Sequence, residues 1–121
     1  MSGSAAQLPD PEFTREITPT AVAKWIHLPP HQRPRVIDCR EAEEIAICQI
    51  PGSEWLPLGD FTSRRERFTT DDDGGWVVVC HHGMRSLRGA QILRSFGLNA
   101  FSMKGGVEAW AETIDPKMPR Y

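Results

Sequence analysis

The stretch Trp76-Val77-Val78-Val79 constrains this chain more than any other. It is continuously apolar rather than alternating, so the strand it predicts needs cover on both faces. Ahead of it stands Asp71-Asp72-Asp73-Gly74-Gly75, which reads as a turn. Behind it comes a polar loop, Cys80-His81-His82-Gly83-Met84-Arg85. Leu87, Ala90, Leu93 and Phe96 then recur on one helical face, and Gly97 is placed as the stop. A buried strand that feeds a helix through a short loop is the repeating unit of a parallel sheet.

The rest of the chain continues the alternation. Thr18-Pro19 reads as an N-cap with proline at the first helical position. Val22, Trp25 and Ile26 follow at helical spacing until Pro29-Pro30 ends the segment. Arg35-Val36-Ile37-Asp38 predicts a short buried strand, and Arg40 to Ile47 a short helix. Ile50-Pro51-Gly52-Ser53 is a turn, and Trp55-Leu56-Pro57 a brief strand that its proline assigns to an end or edge. Leu58, Phe61, Arg65 and Phe68 lie at helical spacing, with the Arg65 stem able to cover apolar surface. Ala100 to Met103 predicts a last strand, and Gly105-Gly106 leads into a helix carrying Val107 and Trp110. The four tryptophans read as core or rim residues.

With 121 residues the chain has room for one domain. The expected division is a leader over 1–13, a domain over 14–114 and a tail over 115–121. Net charge is -2, so no global field draws the protein to nucleic acid or to an anionic membrane. No apolar run approaches a transmembrane span, and the N-terminus lacks the layout of a secretory signal. The three cysteines, Cys39, Cys48 and Cys80, form an odd set. Free thiols in a reducing, cytoplasmic setting are therefore expected.

Cys80 sits where the clearest strand stops. In open parallel sheets ligands bind at the carboxyl ends of strands. Gly83 lets the loop turn tightly, so that backbone N–H groups converge on the sulfur. The helix starting near Arg85 adds the positive end of its dipole. Both effects favour thiolate over thiol, and the thiolate is the nucleophile. Cys39 and Cys48 read as buried packing residues.

Cys80-His81-His82-Gly83-Met84-Arg85-Ser86 resembles the active-site loop of rhodanese-type sulfurtransferases. Val36-Ile37-Asp38-Cys39-Arg40-Glu41 is similar to that family's Asp-x-Arg signature. Glu44 through Ser53 is similar to its Gly-His-Ile-Pro-Gly-Ala stretch, with Cys48-Gln49 standing where many members have Gly-His. Gly105-Gly106-Val107-Glu108-Ala109-Trp110 resembles its closing Gly-Gly motif. The resemblance spans about residues 16 to 112.

It implies a rhodanese-like α/β fold, with a mostly parallel five-stranded sheet flanked by helices on both faces. It also implies transfer of a sulfane sulfur from an anionic donor such as thiosulfate to cyanide, a thiol or a protein acceptor, through a Cys80 persulfide. Loop N–H groups would stabilise charge on sulfur. Arg85 would pair with the anionic donor, and His81 and His82 would add positive charge when protonated. Met84 would offer its backbone and a hydrophobic rim, and Ser86 a bond to the loop or to the sulfur, or a cap. Asp38 and Arg40 are expected to support the loops. No cofactor is expected. No metal is expected either, because Cys39, Cys48, Cys80, His81 and His82 match no zinc spacing.

Two alternatives stay open. One is a cysteine-dependent phosphatase or arsenate reductase of related fold. Those place five residues between cysteine and arginine, whereas four stand here, and the shorter loop suits a single sulfur atom better than a phosphate. The other is a non-catalytic interaction module, which the retained Cys80, Gly83 and Arg85 argue against, while a role as sulfur carrier or sensor stays open.

Overall fold

A computed structural model describes residues 14–68 and 75–121. The leader expected over 1–13, and residues 71–74 of the acidic turn, lie outside the described residues. The elements, in chain order, are β1 (Glu16–Ile17), α1 (Pro19–Trp25), β2 (Arg35–Asp38), α2 (Ala42–Ile47), β3 (Glu54–Trp55), β4 (Trp76–Val79), α3 (Met84–Ser95), β5 (Ala100–Met103) and α4 (Gly106–Thr113). The strands form one sheet in the order β1-β5-β4-β2-β3, and every pair is parallel.

β4 lies at the centre, and all four of its residues are buried. Its side chains alternate between two cores. Val77 and Val79 join Val22 of α1, Phe101 of β5 and Val107 and Trp110 of α4. Trp76 and Val78 join Ile37, Phe61, Phe68 and the α3 residues Ala90 and Leu93. Burying a side chain of this size contributes about 1.5–3 kcal/mol, which is why the continuous apolar run demanded helices on both faces.

Local signals account for the helix starts. Thr18 Oγ1 accepts from the Ala21 N–H at 3.2 Å, and Pro19 opens α1. At α2 a capping box forms between Glu41 and Glu44, with the Glu41 N–H donating to Glu44 Oε1 at 3.1 Å.

Leu58 to Phe68 differs from its expected helix. It forms two 3₁₀ turns, Leu58–Asp60 and Arg65–Arg67. The pairs 58/61 and 65/68 are three apart, the repeat of a 3₁₀ turn as well as of an α-helix. Arg64, at φ -114° and ψ 36°, breaks the continuity between them. Phe61 and Phe68 still reach the core with ring centroids 4.9 Å apart. The Arg65 guanidinium lies 4.5 Å over the Phe96 ring, so its stem covers apolar surface as expected. β1 was not marked by any sequence signal; its two residues pair with Ser102 and Met103 at the sheet edge.

Candidate active site

The carboxyl ends of β4 and β2 lie side by side at the centre of the sheet. From β4 the chain enters the loop 80–86. Gly83, at φ 108°, is the N-cap of α3, a backbone state that a side chain would strain. This bend folds the loop around Cys80 Sγ. The Gly83 N–H donates to the sulfur at 3.0 Å and the Ser86 N–H at 3.3 Å. Ser86 Oγ lies 3.3 Å from Sγ. The Ser86 hydroxyl also donates to the Gly83 carbonyl at 3.1 Å and lies 2.6 Å from Ser102 Oγ on β5. Cys80 itself is 1% exposed.

The outer side of the loop rests on α4. The N–H groups of Val107 and Glu108 donate to the carbonyls of Cys80 and His81, at 2.8 and 3.1 Å. First-turn N–H groups have no partner within their own helix, so the loop satisfies them. A Cβ on Gly106 would come within 2.3 Å of both carbonyl oxygens. Gly106 is thus what allows α4 to dock beneath the loop.

Asp38 and Arg40 form a fully buried ion pair, Arg40 Nη2 to Asp38 Oδ2 at 2.8 Å and Nε to Oδ1 at 2.9 Å. Arg40 also donates to the Cys48 carbonyl at 2.7 Å and to the Tyr121 hydroxyl at 2.8 Å. Burial works against the guanidinium charge, but its hydrogen bonds to Asp38 and Tyr121 win and hold its pKa above the usual value. The pair ties the end of β2 to the end of α2. Removing one partner of such a pair costs about 3–5 kcal/mol.

Arg85 is engaged within the chain. Its two terminal nitrogens meet the Glu44 carboxylate at 2.6 and 2.8 Å, and its side chain is 37% exposed. The Tyr121 hydroxyl donates to Glu44 as well, at 2.7 Å. Hydrogen bonding from Arg85 pulls the Glu44 pKa down from 4.5 to about 2, against the opposing effect of burial. The same contact raises that of Arg85. An incoming anion therefore meets a guanidinium already paired with a carboxylate.

The two histidines stack, centroids 3.9 Å apart, and the Tyr121 ring covers the other face of His81 at 3.8 Å. Burial, with His82 next in effect, lowers the His81 pKa from 6.5. That works against the positive charge expected of it. His82 is exposed, and Met84 stands at the rim with 77% exposure.

Glu44, Ser102 and Tyr121 were not among the residues the sequence singled out for the site. Glu44 lay inside a recognised stretch, but nothing assigned it to Arg85, 41 positions away. Tyr121 is 77 positions from Glu44. Ser102 carries the one available signal, a hydroxyl in the strand Ala100–Met103, which is otherwise apolar.

A parallel sheet whose central strand delivers a cysteine into a glycine-bent loop on a helix start defines the class. The rhodanese-like domain family matches residues 18–113, and the chain belongs to that family. The sulfurtransferase candidate YtwF of Bacillus subtilis is 35% identical over 82 residues, covering 68% of this chain and 78% of that protein. A rhodanese-related protein of Thermoplasma volcanium superposes with a TM-score of 0.71 at 26% identity, covering 81% of this chain and 91% of the other. The human single-domain sulfurtransferase TSTD1 shares the fold, with a TM-score of 0.72 at 23% identity over 83% of this chain and 97% of its own. Further curated relatives are longer, and this chain spans 19–30% of their length. Among the described residues no helix is long and apolar enough to cross a membrane.

Proposed function

We propose that the protein moves a sulfane sulfur from thiosulfate or a persulfide donor to cyanide or a thiol, with Cys80 as the carrier. The observation that carries this reading is the cradle at Cys80 Sγ, where two backbone N–H groups and the Ser86 hydroxyl converge within 3.3 Å. The Cys80 thiolate attacks the outer sulfur of thiosulfate. The S–S bond of the donor breaks and sulfite leaves with its electron pair. The acceptor then attacks the terminal sulfur of the Cys80 persulfide and restores the thiolate. N–H groups aimed at the sulfur need no reorganisation as charge shifts along the S–S bond. Arg85 supplies the cation beside the loop and Glu44 sets its orientation. Asp38 and Arg40 hold the neighbouring strand end. A protein thiol is a further acceptor of the same chemistry, and cytoplasmic residence belongs to the same proposal.

Intact mass after thiosulfate exposure tests the reading. One added sulfur, about 32 Da, is expected on Cys80 and is removed by cyanide. Hydrolysis of an aryl phosphate without that adduct would instead identify a phosphatase.

A further inference from the structure

The register of β2 on β4 brings a second thiol to the candidate site. Ile37 pairs with Val78 and Asp38 with Val79. The next position in that register sets Cys39 beside Cys80, and the ladder continues there, with the Cys39 N–H donating to the Val79 carbonyl at 2.9 Å. Side chains alternate along both strands. Ile37, Cys39, Val78 and Cys80 share one core, while Val36, Val77 and Val79 belong to the other. The two cysteines therefore stand in register on the same face. Neighbouring strands lie about 4.8 Å apart, and disulfides span Cα separations of about 4.4–6.8 Å. Cys48 packs in the opposite core, with its sulfur 3.7 Å from Arg40.

We propose that Cys39 is the resolving thiol for Cys80, closing an intramolecular disulfide once a peroxide has oxidised Cys80. The Cys80 thiolate attacks the peroxide, the O–O bond breaks, and hydroxide or alkoxide leaves. Sulfur is oxidised to a sulfenic acid as the peroxide is reduced. Cys39 Sγ then attacks Cys80 Sγ. The S–O bond breaks, and the departing hydroxide takes the Cys39 proton and leaves as water. Two equivalents of an external thiol reverse the bond.

Cys39 is completely buried. Burial raises its pKa well above the ordinary range, and the facing Cys80 charge raises it further. Oxidation of Cys80 to a neutral sulfenic acid removes the second of these effects. The resolving thiol is thus held in reserve while Cys80 is reduced. The benefit is chemical: a disulfide is reversible, whereas sulfinic acid is not restored by thiols.

The test is a non-reducing peptide map of the full chain after treatment with a few equivalents of hydrogen peroxide. The wild type is expected to lose about 2 Da, yield a linked Cys39–Cys80 peptide, and regain activity with dithiothreitol. Cys39→Ala and Cys39→Val, two variants of different volume, are expected to keep sulfur transfer within about twofold of wild type. Under peroxide they should gain about 32 Da on Cys80 and lose activity irreversibly. Equal rates of sulfinic acid formation in wild type and both variants would overturn the proposal. So would a linked peptide that joins Cys48 to Cys80. Because the map reads a covalent bond, it is independent of whether Cys80 carries sulfur in turnover.

Discussion

Two strand ends sit next to each other at the centre of the sheet, and each delivers a cysteine. At the end of β4, Cys80 opens into a loop that turns three polar groups onto its sulfur, all within 3.3 Å. At the end of β2, Cys39 enters a packed corner, between Asp38 and Arg40 of a buried ion pair. Both sulfurs are buried in the same core, so burial alone does not distinguish them. What differs is the next few residues of backbone. Gly83 bends one loop into donors for sulfur, while the capping box of α2 turns the other into donors for carboxylates. On the proposed function, the surrounding N–H groups rather than the cysteine itself set which thiol carries the sulfur.

The sharpest way to break that contrast is to replace each cysteine in turn. Cys80→Ser is expected to lower thiocyanate formation from thiosulfate and cyanide by at least about 10³-fold, with Cys39→Ala close to wild type. A comparable loss in Cys39→Ala would show that the two ends are not functionally distinct.

The bridge between the two ends is the Arg85–Glu44 pair, since Glu44 belongs to α2 and Arg85 to α3. Arg85→Ala is expected to raise KM for thiosulfate about tenfold with a smaller change in kcat. An unchanged KM would separate Arg85 from donor binding. Glu44→Gln probes the same pair through stability. The folded-state pKa of Glu44 lies below its ordinary value, so its contribution is present above pH 4.5 and fades as pH falls towards about 2. The variant should melt lower than wild type at neutral pH, on the order of 5 °C, and that gap should close across the same acid window. A gap that stays constant with pH would exclude the ion pair as its source.

The smallest effect is expected from Tyr121→Phe. It keeps the ring on His81 and loses the hydroxyl contacts to Arg40 and Glu44. A stability loss of about 1–2 kcal/mol in denaturant unfolding is expected, with KM within about twofold of wild type. A larger KM change would show that the Tyr121 hydroxyl governs how Arg85 is presented.

The most legible features were contiguous ones. The run Trp76 to Ser86 carried strand, loop, glycine bend and helix start in eleven consecutive positions, and the structure keeps that order. The Asp-x-Arg pair was equally readable, because Asp38 and Arg40 lie two positions apart. Leu58 to Phe68 was read less well, since a spacing of three serves two kinds of helix and only the backbone at Arg64 separates them. The Gly-Gly motif was visible as a pattern. Its reason, two carbonyl oxygens where a Cβ would stand, came from the packing of α4 under the loop.

By itself, then, the sequence determined the parallel α/β architecture, the strand that ends in Cys80, and the loop that bends at Gly83. These follow from periodicity and from backbone freedom, which act over a few residues. Tertiary structure alone decided that Arg85 meets Glu44, that Tyr121 closes over His81, and that Cys39 stands in register with Cys80. Each of these contacts joins residues at least 40 positions apart. They depend on strand order and register, which no local pattern specifies, because a parallel pair is set by the crossover that packs between its strands.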